Sequence, residues 1–222
     1  MEFDLSLITN SLPLLLQGAL VTLEITAMAV GLGLVFGLLA ALAQLSKFTP
    51  LRLLAKIYVD FIRGTPLLVQ IFIIYFALPA IIGQRIDPFV AAVAACSINS
   101  GAYVAEIFRA GIQSIEIGQM RAGLSLGMTW GQTMRYIILP QAMSISVPAF
   151  VANVIFLLKE TSVFSAISLM DLMFTAKDLI GLYYKTTECL FLLVVFYLLI
   201  LLPVSLLGSW LERRLRYAGF GA

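Results

Sequence analysis

The run Phe156, Leu157, Leu158, Lys159, Glu160, Thr161, Ser162, Val163 sets an ammonium, a carboxylate and two hydroxyls between apolar flanks. Such groups are expensive to bury unless each finds a partner. Neighbouring residues on a helix point about 100° apart, so Lys159 and Glu160 cannot simply pair if the helix is regular. Either the helix breaks here or the two charges serve different ligands; a structural ion network between helices is the competing reading. A second polar run, from Ser97 to Ala110, carries Asn99, then Tyr103 one turn further on the same face, then Glu106 and Arg109 three apart. This is chemistry of hydrogen bonding and charge complementarity. Catalytic chemistry is poorly provided for: histidine is absent, which removes a His base, a His ligand and the usual pH sensor. There is no GxxxxGK[ST] phosphate loop, so energy must come from elsewhere. Cys96 and Cys189 stand far apart in apolar surroundings, without metal spacing or a disulfide framework, and read as small core residues.

The elements that position these groups belong in a bilayer. The chain is 61% hydrophobic and 12% charged, far from the balance of a soluble domain. A spanning helix needs roughly 20 apolar residues, and five candidates meet that need, at about 11 to 45, 55 to 80, 88 to 112, 139 to 159 and 188 to 210. An odd number puts the termini on opposite sides. The first stretch is too long, and lacks the basic flank and cleavage site, for a removable signal peptide. Lys47, Arg52 and Lys56 crowd the first connection, Arg121 and Arg135 lie in the third, and Arg213, Arg214 and Arg216 come last. These segments are expected in the cytoplasm. The opposite set is poorer in basic excess: Glu2 and Asp4, Arg85 with Asp87, and Lys177 and Lys185 offset by Asp171 and Asp178. The expectation is N-terminus out and C-terminus in.

Counting from Pro88, Asn99 lies about 17 Å along its helix at helical rise, close to the middle of a roughly 30 Å core. Below it, Glu106 and Arg109 are spaced to neutralise each other. In the second span Asp60 and Arg63 have the same spacing and read as an ion pair, and Pro66 favours a kink. In the first span Gly33 and Gly37 form a GxxxG spacing that suits close helix contact, inside the subunit or between two copies. Glu24 in the same span should face protein or water, either in a helix contact, in an outer vestibule or at a substrate.

Between the third and fourth spans lies a polar-dotted segment, residues 115 to 141, reading IEIGQMRAGLSLGMTWGQTMRYIILPQ. Small residues on its first half, Gly118, Ala122 and Gly123, permit close approach to a partner. Gly127 can take the positive φ of a helix end, and Pro140 marks a boundary before the next span. The spacing from Ala122 and Gly123 through Gly127 to Pro140 resembles the EAA signature of ABC-type import permeases, with Arg121 and Gly123 standing where the pattern has Glu and a second Ala. RGTPLLVQ, YVAEIFRAG and the Lys-Glu-Thr-Ser run resemble segments of the narrower polar amino acid group. Orientation from charge alone puts residues 115 to 141 in the cytoplasm, where an ATPase would be.

The resemblance covers nearly the whole chain. It implies an all-α integral membrane fold, five transmembrane helices plus cytoplasmic coupling helices, in a single transmembrane domain over residues 1 to 222. It further implies a permease in a prokaryotic cell membrane, working with an ABC ATPase dimer, a second permease subunit (a homodimer favoured) and an extracytoplasmic amino acid-binding protein. ATP and Mg would be bound on the partner ATPase, with no cofactor and no nucleic acid on this chain. The coupling set is Gly118, Gln119, Arg121, Ala122, Gly123, Gly127 and Pro140. For an amino acid zwitterion, Asn99 and Asn153 would give neutral hydrogen bonds, Tyr103 and Gln70 walls, and Lys159, Glu160 and Ser162 charge and hydroxyl complementarity. Acids at Glu24, Glu106 and Glu160, with Lys159 and Arg109 as the nearby cations, lean the reading to a basic amino acid; glutamine or another neutral polar amino acid is the alternative. An ion-coupled secondary transporter is the rival from another class, but such folds usually carry internal repeats, and the halves show no convincing self-similarity.

Overall fold

A computed structural model describes residues 5–215; Glu2, Asp4 and Arg216 lie outside the described residues. The described chain is helical, with no strand. Helix α1 (Leu5–Gln44) is followed by α2 (Thr49–Arg63) and α3 (Leu67–Ile82), the latter with a π-helical turn at Ile73–Ala77. Helix α4 spans Pro88–Gln113 and the short α5 spans Ile117–Ser125. Helix α6 (Trp130–Ile167) passes through a π turn at Met134–Ile138 and ends in a 3-10 segment, Thr161–Ile167. Helices α7 (Leu172–Tyr183) and α8 (Thr186–Leu215) complete the order.

Helices α1, α4, α6 and α8 are each long and apolar enough to cross a membrane, and α2 with α3 makes a fifth span only as a bent pair. One kinked helix was expected at 55 to 80; the structure has two helices at 105°. Pro66 is the N-cap of α3, extended at φ −64° and ψ 143°, so it stands before the helix. A proline disfavours helical backbone in the residue before it and gives no N–H, and the carbonyls at the end of α2 then need other donors. Two side chains supply them: Thr65 Oγ1 donates to Phe61 O at 2.9 Å and Gln70 Nε2 to Ile62 O at 2.8 Å, and Gln70 Nε2 also reaches Thr65 O, within the break, at 3.0 Å.

Glycine contacts set the helix order. A Cβ at Gly33 would lie 2.6 Å from Ser100 Oγ, and one at Gly37 would lie 2.5 Å from Val104 Cβ, so α1 and α4 run parallel in close contact. The GxxxG pair is therefore spent inside the subunit. Helix α6 returns antiparallel, with Asn153 against Ser100 and Ser146 against Ile107. Helix α8 packs Gly208 on Val151. Helix α7 lies between the fourth and fifth expected spans, where no helix was expected, and seals one end of α1 and α8 through Leu15, Ala19, Leu172, Leu179, Cys189 and Phe196. Its local signal was Asp171, an N-cap whose carboxylate accepts from Phe174 N at 2.9 Å. Cys96 and Cys189 are free and buried in separate apolar clusters, as expected.

Candidate functional site

The first feature is a cavity of about 470 Å³ between the α2–α3 break, α4 and the end of α6, lined by Arg63, Thr65, Asn99, Tyr103, Phe156 and Glu160 among others. Its size falls in the roughly 300–1,000 Å³ range of small-molecule sites. Three of the expected residues, Asn99, Tyr103 and Glu160, meet here. Asn99 donates through Nδ2 to Gln70 Oε1 at 3.1 Å. Gln70 itself stands behind the wall, with its other amide end on Ile62 and Thr65, where it holds the helix break. Tyr103 packs its ring on Phe156, centroids 5.9 Å apart.

The rest of the expected set lies elsewhere. Asn153 is buried and donates to Ser100 Oγ at 3.3 Å, at the crossing of α1, α4 and α6. Lys159 is exposed and does not line the cavity; the half-buried Ser162 does not either. The α-helix gives way to the 3-10 segment directly after Glu160, and Lys159 and Glu160 point apart as their adjacency required. Glu24 sits exposed on the outer face of α1 and lines neither this cavity nor the next.

A second cavity, about 370 Å³, lies further along α4 towards its C-terminal end, lined by Arg63, Tyr103, Glu106, Gly111, Ser114 and Ser146 among others. Glu106 and Arg109 pair as the spacing predicted: Arg109 Nε donates to Glu106 Oε2 at 3.0 Å, with a second, shorter contact between Nη2 and Oε1. Arg63 was expected on Asp60. No ion pair within 4 Å joins those two among the described residues; Arg63 Nη1 lies 3.7 Å from Glu106 Oε2, and its guanidinium stands 5.5 Å from the Tyr103 ring centroid. The break at residues 64–66 turns the end of α2 towards α4, which i, i+3 spacing on a single helix could not foresee. Arg63, Thr65 and Phe156 are cavity residues that sequence reasoning did not place there; RGTPLLVQ was noticed, and the full break was the missing step.

The second feature is an elbow at α5 and the start of α6. Gly127 takes φ +83° after α5, and the turn closes through Met128 N–H to Gly123 O at 3.2 Å. Thr129 and Gln132 then form a capping box, the Thr hydroxyl accepting from Gln132 N and the Gln carbonyl from Thr129 N. Gly118, Gln119, Arg121 and Ala122 are exposed on α5, alongside Ile117 at 69%, Leu126 at 81% and Trp130 at 62% exposure. These are large apolar side chains left open beside a polar, charged connection. Gly123 is different. It is buried, and a Cβ there would lie 2.5 Å from Thr133 Cγ2, so its smallness serves the α5–α6 contact inside the chain. Pro140 stands in the first turn of the regular α-helical part of α6, Leu139–Glu160, directly after the π turn, where Leu139 N–H reaches Met134 O; helical backbone is continuous across this boundary from Trp130.

A bundle of long apolar helices with a polar cavity beside a helix break, and a short exposed elbow between two spans, defines a helical membrane permease. The chain belongs to the family described as the binding-protein-dependent transport system inner membrane component, whose profile matches residues 33–217. It is 38% identical over 216 residues to the arginine transport system permease protein of Bacillus subtilis, covering 97% of this chain and 99% of that one. It is 41% identical over 217 residues to the glutamine transport system permease protein of Escherichia coli K12, with the same coverage. A solved amino acid ABC transporter crystallised with histidines superposes at a TM-score of 0.91, with 41% identity, over 96% of this chain and all of that one. The methionine ABC transporter superposes at 0.76 with 19% identity and supports the fold alone. Family membership leaves no room for the secondary-transporter reading.

Proposed function

We propose that the cavity at Asn99, Tyr103 and Glu160 takes a polar amino acid, and that this chain is the permease of an ATP-driven importer. The carrying observation is the charge inventory of that cavity. One carboxylate, Glu160, faces it without an ion pair among the described residues, and one guanidinium, Arg63, shares its wall. An α-ammonium and an α-carboxylate need that complement. The lean to a basic substrate counted three acids, but Glu24 is on an outer face and Glu106 is held by two arginines. A neutral polar amino acid such as glutamine leaves no charge unmatched, and the glutamine permease relative favours it. The arginine permease relative favours the basic reading, with Glu160 taking the side chain.

The elbow is the ATPase contact, and ATP and Mg are held on that partner. One subunit of this size offers too few walls for an enclosed path, and closed two-fold pairing is the commonest solution, so a homodimer of permeases is favoured. An extracytoplasmic binding protein delivers the substrate. The N-terminus lies outside and the C-terminus inside, and residues 1–222 make one transmembrane domain. ATP-driven uptake into vesicles, screened over all proteinogenic amino acids, tests the reading. Saturable uptake of glutamine above arginine is the expected result; arginine above glutamine selects the second reading, and uptake of neither overturns both.

A further inference from the structure

The two cavities share a wall, and that wall is Arg63 with Tyr103. Arg63 reaches the first cavity from the last turn of α2 and the second through its contact with Glu106. Tyr103 faces both and carries the guanidinium over its ring. On either side of this partition the linings differ: Asn99 and Glu160 on one, Glu106, Ser114 and Ser146 on the other.

Within this cluster Arg63 is the least committed cation. Arg109 bonds Glu106 through two nitrogens and Gln113 Oε1 at 2.6 Å, and lies within electrostatic reach of Asp60. Arg63 makes a single long contact of 3.7 Å to the same carboxylate and one ring contact. If Arg63 leaves, Glu106 keeps a charged partner. The segment that carries Arg63 is held by Gln70, which bonds Ile62 O next to it, and Gln70 is in turn tied to Asn99. Asn99, Gln70 and the carbonyl next to Arg63 thus form one hydrogen-bonded chain from the cavity to the α2–α3 break.

We infer that Arg63 is a partner-switching residue of the pathway, trading Glu106 and the Tyr103 ring for the α-carboxylate of an amino acid in the first cavity and, in moving, opening the wall between the two cavities. The inference rests on the proposed amino acid reading of that cavity. A planar guanidinium suits it because a carboxylate is met by two parallel N–H donors, which an ammonium cannot reproduce.

The test is direct binding to the purified permease–ATPase complex without binding protein, using L-glutamine and L-arginine against their α-carboxamides. Wild type should prefer the carboxylate form by roughly 30- to 100-fold, the worth of a charge-assisted two-point contact. Arg63→Gln should bring that preference to within about threefold, and Arg63→Lys should restore part of it. Size-exclusion elution of both variants as the intact complex separates the effect from misassembly; should the Gln variant fail to assemble, the Lys variant alone decides, by retaining less than half of the wild-type preference. An undiminished preference in the assembled variants overturns the switch while leaving the amino acid site standing. Absence of binding of either amino acid to wild type overturns the site and the switch together.

Discussion

The hydrogen bonds that fold the elbow join residues five or fewer positions apart: Met128 to Gly123, Thr129 to Gln132, Ser125 to Arg121. Beside the cavity, Asn99 is tied across helices to Gln70, 29 positions away, and at the neighbouring crossing of α1, α4 and α6 Asn153 reaches Ser100, 53 positions away. The elbow is locally complete and turns apolar side chains outward, as the proposed ATPase contact requires. The cavity region is tied across helices, and its open valences face inward. A docking surface needs a rigid local shape that survives when the partner leaves. A site that must open and close gains from ties that a ligand can compete for.

Breaking the cavity should have the largest effect. Asn99→Leu strands Gln70 Oε1 inside the protein and removes a cavity hydrogen bond, at a cost of about 1–3 kcal/mol. Glu160→Gln removes the acid that faces the cavity. Either is expected to lower uptake at least roughly tenfold, the worth of one charge-assisted or orphaned bond, with the complex still assembled. Unchanged uptake and apparent affinity in both would move the site elsewhere.

At the elbow, the comparison sharpens into one of backbone against bulk. A Cβ at Gly127 meets nothing within 4 Å, so the penalty for substitution lies in φ +83° alone, about 1–3 kcal/mol for a β-branched residue. Gly127→Val should suppress uptake and ATPase stimulation while sparing membrane insertion, and Gly127→Asn, which tolerates this region, should keep most of both. Equal loss in the two would point to a contact made by the glycine itself. Gly123→Val tests packing instead: the added carbons meet Thr133, and overpacking of about 1–3 kcal/mol should loosen α5 from α6. The expected readout is faster proteolysis between residues 117 and 129 without loss of the other spans; unchanged cleavage would show that the contact is slack.

The smallest effect lies at the cap of α7. Asp171 is fully buried, one oxygen accepts from Phe174 N and the other has no partner, and burial pushes its carboxyl up to about 6. A raised acid pKa means that the folded state holds the proton more tightly. This contribution to stability is whole below about pH 4, the unfolded value, and is lost as pH rises through about 6. Asp171→Asn keeps the cap and removes the charge, so thermal stability in detergent at pH 7.5 should rise by a kcal/mol or two and its slope between pH 4 and 6 should flatten. A lower midpoint at pH 7.5 would show that the carboxylate is wanted there.

The sequence by itself determined the solvent, the long spans and the elbow, because each follows from composition or from signals within one helical turn. Apolar length reads as a span and Gly127 as a positive-φ turn. Glu106 and Arg109 paired as predicted for the same reason. Tertiary structure alone decided where the polar residues face. Gln70 looked like a wall and became the tie behind it; Arg63 turned from Asp60 to Glu106; Gly123 turned inward; Asn153 locked a helix crossing. The physical reason is common to all four. A buried polar group or a glycine states only that something must fit against it, and which neighbour does so depends on the 105° break and the helix crossings, set by contacts between residues far apart in the chain.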